Sequence, residues 1–326
     1  KLSQMLKNLV IGRSRDPHDT AVFHRLSLVA FFAWVGLGAD GLSSSNYGPA
    51  EAFLALGEHP YLGVFVALGT AITIFIIGAS YSQIVELFPT GGGGYFVASK
   101  LLSPWLGMVS GCALLIDYVL TISVSIASGA DALCSFLPLP VYAYKLHIAV
   151  GIVVLLVLLN MRGVKESVVP LAPIFLTFLA THVFVILYAI FVHLPEMGTI
   201  AQSVRTDVRD TISSVGLAGL VALILRSYSM GAGTYTGLEA ISNGVPILRE
   251  PRVHTARMAM RYMAVSLAFI VMGLMLGYLI YNVRPEPGRT LNAVFLARAT
   301  TGWNSEMARL FVLISLLSEA VLLAVA

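Results

Sequence analysis

The sequence predicts an all-α polytopic membrane protein, and three observations carry that prediction. First, the 326-residue chain is 57% hydrophobic and only 11% charged, with a mean hydropathy of +0.85. Soluble domains carry roughly 25% charged residues. Second, several apolar runs exceed the ~18–20 residues needed to cross a bilayer core. Third, two of these runs are interrupted by glycine and carry a carboxylate. That combination is costly in a membrane, and when it recurs in two halves of a chain it points to a transporter's binding site. The sequence lacks the ~10-residue alternating segments of a membrane β-barrel.

Eight spans are expected. The first covers about 25–57 and includes one break; the second covers about 61–88. The third, about 95–137, is too long for one straight crossing and is expected to tilt or to extend beyond the bilayer. The fourth runs about 141–160 and the fifth about 166–194. The sixth, about 214–247, contains the second break, and the seventh runs about 254–283. The eighth starts near 307 and is cut at Ala326, so a longer natural protein is expected.

Twelve of the twenty Lys and Arg residues fall in segments that are inner if the N-terminus is cytoplasmic, and seven in outer ones. This bias predicts a cytoplasmic N-terminus. Arg226, within the sixth span, is expected to pair with an acid. The predicted organisation is a cytosolic segment 1–24, a five-span repeat 25–194 and the start of an inverted second repeat 195–326. Spans one and six then cross in opposite directions, as a five-plus-five inverted repeat requires.

The two breaks share a pattern. Tyr47-Gly48-Pro49-Ala50-Glu51-Ala52 follows Gly36, Gly38 and Gly41; Tyr235-Thr236-Gly237-Leu238-Glu239-Ala240 follows Gly231 and Gly233. Glycine lets the backbone leave helical geometry and approach a ligand closely. Asp40, the hydroxyl run Ser43-Ser44-Ser45 and Tyr47 are oxygen donors beside the first break. Oxygen donors suit a hard cation. Asp117, Thr121 and Ser125, spaced i, i+4, i+8, make an oxygen-bearing stripe on one face of span three. Tyr118 is offset from it by one residue. Thr236 and Glu239 belong to the second break, where Glu239 could neutralise a cation or carry a proton. Glu51 is its counterpart in the first.

Asp131 and Glu86, near span ends, read as caps or snorkelling groups. His182 reads as a bonded core histidine, and Glu319 lies in the cut span. Cys112 and Cys134 give neither a disulfide framework nor metal spacing, and are expected to be small buried hydrophobes. Pro89-Thr90-Gly91-Gly92-Gly93-Gly94-Tyr95 has no Lys-Ser/Thr at P-loop spacing and reads as a close backbone hinge at a gate. No catalytic triad, metal-spaced Cys/His cluster or basic-aromatic surface is found. An enzyme and a nucleic-acid partner are therefore not expected, and no resident cofactor.

Five stretches together resemble the amino acid–polyamine–organocation (APC) superfamily, with its LeuT-like inverted-repeat fold and discontinuous spans one and six. They are Asp40-x-Leu42-Ser43-Ser44-x-x-Tyr47-Gly48, Pro89-x-Gly91-Gly92-Gly93-x-Tyr95, Asp117-Tyr118-x-Leu120-Thr121-x-x-Val124-Ser125, Asn160-x-Arg162-Gly163-x-x-Glu166-Ser167 and Thr236-Gly237-x-Glu239-Ala240-Ile241-Ser242-Asn243. Within that superfamily the chain is most similar to the KUP-type potassium–proton symporters. The resemblance implies potassium coordination by Asp40, Tyr47, Asp117, Tyr118, Thr121, Ser125 and Thr236, with Glu239 binding cations or coupling protons. It implies K+ and H+ as transported species, a bacterial plasma membrane, and a homodimer built on a cytosolic C-terminal domain not contained in this sequence. Two readings stand beside it: a permease for amino acids, cationic amino acids or polyamines, and a non-transporting sensor. Asp40 beside bare glycine amides would repel a substrate carboxylate, which argues for a cation or an amine.

Overall fold

The computed structural model describes residues 27–160 and 164–325, and everything in those segments is helix, turn or loop. The cytosolic segment expected over 1–24 lies outside them, as do Arg162 and Gly163.

The first span is two helices, α1 (Ala30–Ser44) and α2 (Gly48–Ala55), separated by Ser45, Asn46 and Tyr47. Pro49 stands in the first turn of α2, where its missing N–H costs nothing. The second span, α3, runs Gly63–Leu87. The expected third span divides. A short helix α4 (Gly93–Val97) runs on as a π turn (Ala98–Leu102) and ends at Ser103. There α5 (Pro104–Cys134) begins, with Ser103 accepting a bond from the Leu106 amide and Pro104 at the first helical position. Part of the excess length expected of span three is thus a separate helix and π turn, although α5 alone, at 31 residues, is still longer than a straight crossing requires.

Next come α6 (Lys145–Asn160) and α7 (Val164–Val192). The sixth span begins well before the expected position. α8 runs Met197–Met230 with a kink at Gly216, whose φ is 75°. Its first part is too polar for a hydropathy reading to flag. It is fastened to the α2–α3 loop: Asp207 accepts from the Tyr61 amide at 3.0 Å and lies 2.7 Å from His59 Nδ1. Past Met230 the chain tightens into a 3₁₀ turn (Gly231–Tyr235), unwinds to Glu239 and resumes as α9 (Ala240–Asn243). Then follow α10 (Arg252–Ile280), a short α11 (Leu291–Ala299) and α12 (Ser305–Val325).

Among the described residues, seven helices are long and apolar enough to cross a membrane. The first span is not among them, because neither α1 nor α2 reaches that length alone. α10 lies at the centre: Met260, Met263, Leu267, Val271, Leu274 and Tyr278 are all buried. It packs against α3, α1 and α7. α5 exposes Leu115, Ile116, Val119, Leu120 and Ile122 on one side and buries Thr121 and Ser125 on the other, the amphipathic reverse of a soluble helix. Cys134 is buried, but Cys112 is exposed on this apolar surface. The expectation of burial fails for Cys112 because the surroundings are themselves apolar, so burial is not needed to keep it from water.

The two broken spans are antiparallel. Leu28, just before α1, pairs with the strand-like end of the sixth span: its amide donates to Ile247 O at 2.9 Å and its carbonyl accepts from the Arg249 amide at 2.9 Å. At the other end, Ser227 Oγ donates to Ala52 O at 2.7 Å. The start of one span therefore meets the end of the other.

Candidate functional site

The breaks touch directly. Gly237 has φ +82°, and a Cβ built there would stand 2.4 Å from the Gly41 nitrogen and 2.7 Å from Asp40 Cγ. Only glycine fits that backbone and that approach. Ser44 Oγ donates to Thr234 O at 2.9 Å as well as to Gly41 O in its own turn. Thr236 donates to Gly233 O at 2.8 Å, leaving its oxygen to accept from the Tyr47 hydroxyl at 3.3 Å.

The third wall is the polar face of α5. Tyr118 accepts from Asn243 Nδ2 at 2.8 Å, tying α5 to α9. Asp117 is half-buried and lies within electrostatic reach of both Asp40 and Glu239. Thr121 and Ser125 follow it inward, and Ser125 lies beside the Tyr47 hydroxyl. Contacts and electrostatic neighbours thus group Asp40, Tyr47, Asp117, Ser125, Thr236 and Glu239, with Tyr118 tied to α9 and Thr121 buried on the same face of α5.

Four buried oxygens around this cleft have no hydrogen-bond partner: Asp40 Oδ1, Ser125 Oγ, Glu239 Oε1 and Ser242 Oγ. An unsatisfied buried polar group costs about 1–3 kcal/mol. Native proteins keep few such groups, and a cluster of them calls for an explanation such as a bound ion. Among the described residues, no three His, Cys, Asp or Glu side chains are grouped as for a tightly held metal ion.

Several expectations need correction. The hydroxyls of Ser43, Ser44 and Ser45 donate to the carbonyls of Asp40, Gly41 and Leu42, so they close the end of α1 rather than face the cleft. Glu51 is not the equal of Glu239: it is exposed in the first turn of α2, whereas Glu239 is 9% exposed. Arg226 is exposed and makes no ion pair among the described residues, because it lies on the outer surface of α8. Asp131 is paired with Lys145 at 2.6 Å, and Glu86 with Arg257, both near helix ends.

Three contributors escaped the sequence reading. Tyr81 of α3 faces Glu239, Tyr118 and Asp117; the polar run Ser80-Tyr81-Ser82-Gln83 inside an apolar span was the available signal. Asn243 and Ser242 sit within a matching motif and were passed over. The glycine-rich loop seats on them: a Cβ at Gly93 would lie 2.3 Å from Asn243 Oδ1. The expected close backbone approach is therefore real, and it is made to the far side of the second break.

An antiparallel pair of broken, apolar helices around a line of unsatisfied oxygens is the framework of a membrane transporter. The chain belongs to the amino acid permease family of the APC superfamily, whose model it matches over residues 26–326, and its members are transporters rather than enzymes. It is similar to the potassium transporter KimA of Bacillus subtilis (strain 168), with 30% identity over 292 residues. Those residues are 88% of this chain and 46% of that protein, so the chain spans about half the length of this curated relative.

Proposed function

We propose that this protein takes up potassium with protons, binding the cation in the cleft between the two breaks and α5. The observation that carries the reading is the group of unpartnered buried oxygens contributed by three elements: Asp40 Oδ1, Ser125 Oγ and Glu239 Oε1. A dehydrated monovalent cation needs several oxygens at once and tolerates an irregular shell. Asp40, Tyr47, Asp117, Tyr118, Thr121, Ser125 and Thr236 would supply them, and Glu239 would balance charge or take a proton. The name of the similar Bacillus protein supports potassium as cargo.

Residues 25–194 would form the first repeat and 195–326 the start of the inverted second, with the N-terminus cytoplasmic and the protein in a bacterial plasma membrane. The two breaks would rock against α5 to expose the cleft to each side in turn. Inward movement of each positive charge gains ~2.3 kcal/mol per 100 mV, which can drive accumulation. The protein would act as a homodimer.

An amine-bearing substrate is the second reading, favoured by the family description and compatible with acids in the cleft. Uptake of rubidium by full-length protein in cells lacking potassium uptake decides between them. Potassium competes and arginine or spermidine does not if the cation reading holds; the reverse pattern overturns it.

A further inference from the structure

A second group of buried polar side chains lies apart from the cation cleft, between α7, α10, α11 and α12. His182 and Glu319 are 0% and 1% exposed, and Nε2 of one stands 3.7 Å from Oε2 of the other. Both of these atoms lack a hydrogen-bond partner. The remaining bonds fix where protons must be. His182 Nδ1 faces the Phe178 carbonyl at 2.9 Å; a carbonyl only accepts, so Nδ1 carries a hydrogen. In neutral His182, Nε2 is then a bare lone pair. Glu319 Oε1 accepts from Asn292 Nδ2 at 3.2 Å, so any proton on the carboxyl sits on Oε2. Two acceptors would otherwise confront one another in a fully buried site, which is strongly unfavourable.

We propose that His182 and Glu319 hold one proton between them and form the coupling proton site of the transporter. This rests on the proton-coupled reading above but assigns the proton to a place distinct from Glu239. Glu319 also lines a cavity of about 250 Å³ with Asn46, Tyr47, Glu51, Asp131 and Arg289, a route by which a proton reaches water. Only a proton moves: the Oε2–H or Nε2–H bond breaks, the electron pair stays behind, and the proton leaves through the cavity.

The titratable and charged groups around the pair are few. α10 presents the Tyr278 hydroxyl, which donates to Asn292 Oδ1. α5 presents Asp131, neutralised by Lys145 of α6. α2 presents Glu51 and the loop before α11 presents Arg289, across the cavity. The titratable group of α1, Asp40, faces the cation cleft instead.

The link to the first break is Asn292, whose Nδ2 also lies 3.3 Å from Asn46 Oδ1. Loss of the proton turns the carboxyl into a charged acceptor, which draws the Asn292 amide toward Glu319 and lengthens the bond its second hydrogen makes to Asn46. Asn46 is one residue from Tyr47, so the proton state is communicated to the break.

The test uses full-length protein in proteoliposomes and two readouts. In infrared difference spectra across a pH jump, a protonated-carboxyl band is expected that Glu319→Gln removes, His182→Gln shifts and Glu239→Gln leaves in place. Rubidium uptake driven by an inward proton gradient is expected to fall about tenfold or more in Glu319→Gln, the range of a typical coupling free energy. Glutamine can still donate toward His182 and accept from Asn292, so the fold is preserved; if it is not, the His182→Gln band decides alone. A band that survives both substitutions unchanged overturns the proposal, as does gradient-driven uptake at the parent rate in Glu319→Gln. A parent that takes up no rubidium sinks the potassium reading, while the infrared band still decides the proton pair.

Discussion

The two breaks share the pattern Tyr-x-x-x-Glu-Ala, yet they are built differently. The first is three residues long and closes on itself. Backbone bonds from Ser45, Asn46 and Tyr47 reach back three residues, and three serine hydroxyls cap the same turn. A full two-turn helix then resumes at Gly48. The second is a 3₁₀ turn over Gly231–Tyr235 followed by non-helical backbone to Glu239, with Gly237 in the left-handed region and only a four-residue helix after it. A membrane tolerates such unwound backbone only where protein or a cavity covers it. Under the proposed function, the first break would act as a rigid rim carrying Asp40 and Tyr47, and the second as an adaptable wall carrying Thr236 and Glu239.

That comparison can be broken by substitution. The largest effect is expected from Gly237→Ala. Its Cβ would collide with the Gly41 nitrogen, and the left-handed backbone adds about 1–2 kcal/mol. Loss of folded protein or of all transport is expected in a thermal melt and an uptake assay. Gly41→Ala, in the first break, meets the flexible Met263 Sδ at 3.0 Å and should fold with a modest drop in stability. Equal losses in both would refute the rigid-rim picture.

The paired glutamates come next. Glu239→Gln should cut rubidium uptake by at least about tenfold, ~1.4 kcal/mol. Glu51→Gln, at an exposed helix start, should cost only the few tenths of a kcal/mol of its dipole interaction. The smallest contrast is within the serine run. Ser44→Ala removes the bond to Thr234 O that joins the breaks and should lower stability by about 1 kcal/mol. Ser45→Ala removes only a bond to its own turn and should be near neutral.

Much of this was legible in the sequence. Hydropathy locates the middle of each span, because lipid forces backbone groups to bond within the segment. The i, i+4, i+8 stripe on α5 is a local pattern, and the structure turns it inward as the helical period demands. What escaped was of two kinds. Local signals outweighed by hydropathy hid the start of α5, where Ser103-Pro104 is a helix-start signature inside an apolar run, and the polar first part of α8. Tertiary pairings were invisible altogether. Nothing near His182 or Glu319 in the chain announces the other; only the packing of α7 on α12 brings them together. The serines show the converse, since residue type left ligand and cap equally open and the geometry made them caps.

The central claim is that acids from both breaks bind one monovalent cation. Equilibrium binding of radioactive rubidium to purified full-length protein tests it most directly. Saturable binding that potassium displaces, that spermidine and arginine do not, and that Asp40→Asn and Glu239→Gln each abolish is the predicted result. Rubidium binding that survives both substitutions, or that amines displace as well as potassium does, would contradict it.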